Sequence, residues 1–190
     1  MTIISTFEVL LKPQLPPATQ LPPGFTTVQN LGRNLIQGYF LTISNINAFD
    51  LVLSLVFTTR LPAGVTLDKI ITFSDTSGIN TGGSLEPVGA GNKFRFSPLI
   101  LPVDATALFI LQPSPTDQAL VDLDIEARGF VEVQLSSLAG NLPPGAQIQV
   151  TAEQRGTFFG DANAPNIVDR ALDQIVYGLT VQNGGLITLN

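Results

Sequence analysis

Residues 39–59 read YFLTISNINAFDLVLSLVFTT, and this stretch decides the predicted fold. Every second residue from Tyr39 to Ile43, and again from Leu51 to Phe57, carries a large apolar side chain. A period of two is that of a β-strand with a buried face. The segment between the two runs, Asn45 to Asp50, is rich in the Asn and Asp residues that favour turns. The stretch therefore predicts an antiparallel hairpin at the centre of the protein.

Alternation of the same kind recurs along most of the chain and predicts an all-β protein. The other predicted strands are residues 2–11, 25–30, 65–74, 104–112, 119–127, 130–135, 147–159, 175–181 and 186–189. We expect an antiparallel two-sheet β-sandwich of jelly-roll or immunoglobulin-like type, with about nine to eleven strands. At most one short helix is expected, near residues 165–175, where Pro165 suits a first turn.

The N-terminus is predicted to be a strand followed by a stiff tether, residues 1–24, ahead of a single sandwich domain, residues 25–190. One face of this strand carries apolar side chains, and the face includes Ile3, Phe7, Val9 and Leu11. Five prolines between Pro13 and Pro23 hold the following segment extended and remove backbone donors. The strand can pack on its own domain, or it can complete the sheet of a neighbouring copy.

The charge balance argues against nucleic acid and anionic membranes as partners. The net charge is −6, and the nine basic residues are scattered from Lys12 to Arg170. No apolar run approaches the ~20 residues of a membrane helix. Charged residues make up only 13% of the chain, so its surface is easily covered by other copies of itself.

Missing residue types exclude several chemistries. The chain has no Cys and no His, which excludes disulfides, Ser-His-Asp and Cys-His nucleophiles, and structural zinc. Catalysis by carboxylates and the binding of cations by oxygen ligands are not excluded. The N-terminal residues lack a basic leader and contain Glu8, so we expect no secretory signal peptide. The sequence does not distinguish between the cell interior, the cell surface and an assembled particle as the location of the protein.

The first acidic candidate lies on two adjacent predicted strands. Asp122, Asp124 and Glu126 share one strand face, and Glu132 lies on the next strand. Residues two apart on a strand are about 6.5–7 Å apart, a separation compatible with a catalytic carboxylate pair. A calcium site or a solvated strand face balanced by Arg128 explains the same pattern.

The second acidic candidate is a loop. Asp161 and Asn163 stand at the first and third places of a calcium-loop spacing, with Asn166 at the sixth. Leu172 stands where the bidentate acid of an EF-hand belongs, so calcium binding is a weak possibility and a loop that caps a short helix is the simpler interpretation.

A long polar stretch, residues 75–92, holds five glycines and predicts either a ligand-binding loop or a flexible hairpin tip. It is followed by Lys93 to Phe96, where basic and aromatic residues alternate. Such alternation occurs on nucleic-acid-binding sheets, but two core phenylalanines behind a solvated edge explain it better.

These observations favour a non-enzymatic structural or assembly protein that forms a homo-oligomer or fibre, and N-terminal strand exchange is one way in which it could assemble. No cofactor is expected, and the expected partners are other copies of the chain. The alternative is a ligand-binding β-sandwich module for calcium or carbohydrate, although the chain has no Trp and only two Tyr to form a sugar platform.

Overall fold

A computed structural model describes residues 2–16, 18–24, 32–76, 78, 80–89, 91–114, 125–140, 143–160 and 173–189. These residues form twelve antiparallel strands and almost no helix, which confirms the predicted all-β class. The strands are β1 (Thr2–Pro13), β2 (Asn34–Asn45), β3 (Leu51–Thr59), β4 (Ile70–Asp75), β5 (Asn80–Gly83), β6 (Glu86–Pro87), β7 (Lys93–Leu101), β8 (Thr106–Pro113), β9 (Ile125–Leu135), β10 (Gln147–Phe159), β11 (Asp173–Gly178) and β12 (Leu186–Thr188).

The strands form one curled sheet, a half-barrel, and the prediction of two separate sheets is wrong. The sheet runs in the order β5-β4-β8-β2-β1-β9-β3-β7-β6, with β10 on the other edge of β2 and β11 and β12 beyond it. The reason is that β1 pairs with β9 through Thr2–Leu11 and with β2 through Leu10–Pro13, so hydrogen bonding continues from one half to the other. We call strands β5, β4, β8, β2, β10, β11 and β12 the β2 half, and strands β1, β9, β3, β7 and β6 the β9 half.

The predicted strand count is too low for a local reason. Three strands were not among those predicted: β7, and the short strands β5 and β6, which the polar stretch of residues 75–92 contributes beside β4 and β7. All four residues of β5 are exposed, so no apolar alternation marks this strand in the sequence.

The predicted central hairpin is also wrong, although both of its strands exist. β2 pairs with β1, β8 and β10, whereas β3 pairs with β7 and β9. The segment between them is therefore a corner that carries the chain from the β2 half to the β9 half. Alternation identifies a strand and its buried face, but it does not identify the strand's lateral partners.

The curled sheet encloses one main hydrophobic core. Its largest members are aromatic: Phe57 stacks on Phe109 with ring centroids 5.5 Å apart and meets the edge of Phe7 at 5.4 Å. All the inward residues predicted from the deciding stretch are fully buried: Tyr39, Leu41, Ile43, Leu51, Leu53, Leu55 and Phe57. The two halves of the sheet are thus held together by apolar burial across the core as well as by β1.

One residue of the N-terminal strand was assigned to the wrong face. The register of β1 against β9 shifts between Ile3 and Ser5, so that Ile4 is buried and Ile3 is 48% exposed. A bulge of this kind inserts one extra residue and reverses the alternation beyond it. Phe7, Val9 and Leu11 are buried as predicted.

Some predicted elements lie outside the described residues. These are the strand at 25–30, residues 119–124 of another strand, and residues 165–172 of the possible helix. The described end of that helix is wrong, because Asp173–Gly178 is strand β11 paired with β10.

The corner between the halves is fixed by one buried amide. Asn45 is 3% exposed, and its Nδ2 donates to the backbone oxygens of Phe49 at 2.9 Å, Leu101 at 3.0 Å and Pro102 at 3.0 Å. Its Oδ1 accepts from Asn47 N at 3.0 Å. A single side chain therefore ties the corner to the connection between β7 and β8.

We expect Asn45→Asp to lower the free energy of unfolding by about 2–3 kcal/mol, because a carboxylate cannot donate to these carbonyl oxygens and leaves them buried without partners. Urea denaturation measures the loss. The exposed Asn92→Asp, just before β7, is the control and should change the midpoint little. Equal midpoints for the two variants would show that the corner does not depend on the amide.

Candidate functional site

The N-terminal strand occupies an interior position in the sheet, not an edge. β1 lies between β9 and β2, and its Phe7 and Val9 belong to the main core. Leu11 belongs to a smaller cluster with Val65, Ile125 and Phe159. Of the four residues predicted to act in assembly, three are therefore core residues of the folded sheet, and only Ile3 is exposed.

A buried hydroxyl pair joins β1 to β2. Ser5 Oγ and Tyr39 Oη are 2.8 Å apart, and Tyr39 is fully buried between Phe7 and Phe57. Burial raises the pKa of the Tyr39 phenol, while the hydrogen bond with Ser5 partly opposes the rise. This buried hydrogen bond therefore fixes the position of β1 relative to β2 inside an apolar core.

The connector between β1 and β2, residues 14–33, is much longer than the pairing requires. Pro13 is paired with Asn34, and Gln14 N donates to Arg33 O at 2.7 Å, so the two ends of the connector lie side by side. A hairpin of this geometry needs only about two to five loop residues. The described prolines of the connector (Pro16, Pro22 and Pro23) are exposed, as is Pro13 at the end of β1.

The described carboxylates of the first acidic candidate are ion-paired. Glu126 pairs with Lys12 and Arg128, and Glu132 accepts from Lys93 Nζ at 2.9 Å. The hydrogen bond from Lys12 lowers the pKa of the Glu126 carboxyl. A general acid needs a raised pKa, so this environment opposes that role for Glu126. Asp122 and Asp124 lie outside the described residues.

The calcium candidate cannot be located in the sheet, because Asp161, Asn163 and Asn166 all lie outside the described residues. Elsewhere in the described part of the chain, no group of three or more acidic residues comes close enough to share a metal ion. Calcium binding at residues 161–166 stays a prediction.

The polar stretch of residues 75–92 and the following Lys93–Phe96 form part of the sheet. Phe96 is buried, and Arg95 Nη2 lies 3.6 Å from Glu86 Oε2 across the β6–β7 pair. Gly83 packs so closely against the Phe96 ring that a Cβ there would collide with it. Of the two phenylalanines predicted to lie in the core, Phe96 therefore does, whereas Phe94 is only half-buried.

The outward faces of the two halves differ in chemistry. On the β9 half, ion pairs cover the strands: Lys12–Glu126, Glu8–Arg128, Arg128–Glu126, Lys93–Glu132 and Arg95–Glu86. On the β2 half, half-buried apolar side chains lie side by side on β4, β8 and β2, and Val176 of β11 is 59% exposed beyond the Glu153–Arg155 pair of β10. The half-buried residues are Ile71, Phe73, Leu108, Ile110 and Phe40. We call the second surface, with its neighbouring outward residues, the apolar face. The sequence analysis missed this face, although Phe40, Leu108 and Ile110 are apolar residues that alternate with the buried residues of their strands.

A shallow hollow of about 510 Å³ lies on the apolar face. Its floor is Gly38, where a Cβ would come within 2.9 Å of Gln112 Cβ and 3.0 Å of Leu111 O. The Arg155 guanidinium lies 4.5 Å from the Phe40 ring centroid at its side and pairs with Glu153 at 2.9 Å. The hollow therefore combines an aromatic ring, an arginine and amides.

Comparison of the chain with protein-family models, with curated proteins and with solved structures finds no significant match in any of the three. In the described ranges, no helix has the length and apolar character needed to cross a membrane. The function must therefore be argued from the surfaces just described.

We expect the free energy of unfolding to fall above about pH 10, by up to roughly 1.4 kcal/mol per pH unit, because the raised pKa of Tyr39 means that the unfolded chain releases this proton first. The contribution is fully present below about pH 10 and is lost as the pH rises toward the folded-state pKa. Urea denaturation from pH 8 to pH 11 measures it. Tyr39→Phe should remove this part of the slope.

The matched control is Tyr177→Phe, because Tyr177 is 41% exposed on β11. It should keep the alkaline slope of the unmodified protein. A Tyr39→Phe variant that loses stability just as steeply would contradict the burial of the phenol.

Proposed function

We propose that the protein is a non-enzymatic structural protein that assembles with copies of itself into a homo-oligomer or fibre by exchange of strand β1. The observation that carries this proposal is the combination of an interior strand with a long connector. β1 supplies core residues to the sheet, yet only the proline-rich residues 14–33 join it covalently to β2.

The contacts of β1 are suited to exchange because each is made with residues distant in sequence. Its backbone pairs with β9, and its Ser5 contacts Tyr39. The same contacts form whether β1 comes from the same chain or from a neighbour, as in domain swapping and strand addition. The connector is twenty residues long and rich in proline, a composition that favours extended backbone and would give β1 the reach to pair with a neighbouring copy.

The residue inventory supports a non-enzymatic role. The chain lacks His and Cys, and the described acidic residues of the sheet face are paired with Lys or Arg. The alternative function is a ligand-binding module for calcium or carbohydrate. The observation that favours the carbohydrate form of this alternative is the hollow beside Phe40 and Arg155, where an arginine and the amides of Gln112 and Gln174 are available to a small polar ligand.

Engineered disulfides distinguish exchange from closure within one chain. Thr6 of β1 and Thr58 of β3 both lie directly opposite Phe130 of β9, on its two sides. Directly opposed strand residues have Cα atoms about 4.5–5.5 Å apart, which suits a disulfide. Because the chain has no cysteine, each engineered pair is the only one present.

We expect oxidised Thr6→Cys/Phe130→Cys to give covalent dimers or a ladder on non-reducing denaturing gels, because β1 comes from a neighbour. The control, Thr58→Cys/Phe130→Cys, should give only internally cross-linked monomers. Internal cross-linking of both variants would contradict strand exchange. A monomeric native mass of the unmodified protein by light scattering would contradict self-assembly itself.

A further inference from the structure

We propose that a cavity between β1 and β11 binds a small neutral ligand rich in hydroxyl groups, of the size and chemistry of a monosaccharide. This inference does not rest on self-assembly or on strand exchange, because β1 forms the same wall of the cavity whichever chain supplies it. The cavity is separate from the hollow on the apolar face, and no described residue lines both.

The cavity lies where β1 and β2 diverge. Strand β1 pairs with β2 only through Leu10–Pro13, so its earlier residues leave β2 and form one wall of the cavity together with β9. The other wall is formed by β10 and β11, on which Gln154 lies directly opposite Tyr177 and both residues line the cavity. The volume is about 370 Å³, which is in the range of small-molecule pockets.

The unsatisfied group of this cavity is the amide of Gln154. Its side chain is 1% exposed, and its Oε1 has no hydrogen-bond partner within the described part of the chain. Buried side-chain oxygens are normally paired, because an acceptor removed from water without a donor is costly. The terminal torsion of a glutamine is broad, so the oxygen can turn toward a molecule in the cavity. A ligand that satisfies this oxygen must offer a hydrogen-bond donor.

The charged residues of the cavity favour a neutral ligand. Glu8 and Arg128 line it and are paired with each other, and Arg128 pairs also with Glu126. Glu8 Oε2 accepts in addition from Gln37 Nε2 at 3.0 Å. A charged ligand therefore meets counter-charges that are already paired. A hydroxyl group can still donate to the remaining lone pairs of the carboxylate, which has about four such sites.

Apolar surface beside these polar groups favours a sugar ring. Of the two tyrosines in the chain, Tyr39 is fully buried, whereas Tyr177 is 41% exposed and lines the cavity beside Leu179. A tyrosine offers an apolar ring face together with a polar tip. A sugar ring has the matching pattern, since its C–H groups can pack on the ring while its hydroxyl groups reach the amide and the carboxylate.

Substitution of Gln154 by a residue of similar shape tests the site. We expect the unmodified protein to bind at least one of glucose, galactose, mannose and N-acetylglucosamine in titration calorimetry. Gln154→Met should weaken this binding by about tenfold or more, because the ligand loses its buried acceptor. In the ligand-free protein, the same variant should keep or raise the thermal midpoint, because it removes a buried oxygen that lacks a partner.

The matched control is Gln112→Met, because Gln112 lines the hollow on the apolar face instead of this cavity. It should bind the sugar as the unmodified protein does. Loss of binding in Gln112→Met, with binding retained in Gln154→Met, would assign the sugar to the hollow and overturn this inference.

Two other results also overturn it. One is the absence of binding for all four sugars. The other is a lowered thermal midpoint of ligand-free Gln154→Met, which would mean that a bound water molecule already satisfies the amide. A monomeric native mass of the unmodified protein would contradict the proposed self-assembly and leave this inference standing.

Discussion

The continuity of this fold depends on the double pairing of strand β1. Its length lets it follow β9 from Thr2 to Leu11 and still hydrogen-bond with β2 over its last residues. If β1 is removed, β9 and β2 each lose a neighbour, and the core loses Phe7 and Val9. The halves would lose the hydrogen-bonded strand that joins them, while the apolar core contacts and the Asn45 corner would remain. A strand that makes a sheet continuous therefore cannot be treated as a dispensable N-terminal arm.

Glycines stand where the curled sheet brings strands unusually close. Gly129 of β9 lies opposite Phe7, and a Cβ at this position would collide with the backbone oxygen of Thr58. Gly38 of β2 allows a similar approach to Gln112 of β8. Close approach without a side chain is the reason for glycine at such positions. Gly129 allows the sheet to curve around β1. Gly38 also leaves space for the hollow on the apolar face.

The sequence predicted which residues point into the core, but not which strands are neighbours. Alternation located Tyr39 to Ile43 and Leu51 to Phe57 correctly, because burial on one face is a local property of a strand. Pairing depends on partners far along the chain, so the hairpin and the two-sheet arrangement were wrong. The bulge after Ile3 could not be predicted, because no residue type in β1 indicates it. The apolar face was missed for the same reason, since Phe73, Ile110 and Phe40 become one surface only after the register places them side by side.

Strand β2 contributes side chains to both faces of the sheet. Its inward Tyr39 contacts Ser5 of β1, and its outward Phe40 lies directly opposite Ile110 of β8. Because successive side chains of a strand point to opposite faces, the buried contact with β1 and the outward row depend on the same register. A slip of β2 by one residue would move Tyr39 away from Ser5 and turn Phe40 into the core. The position that receives β1 and the composition of the outward face are therefore set together.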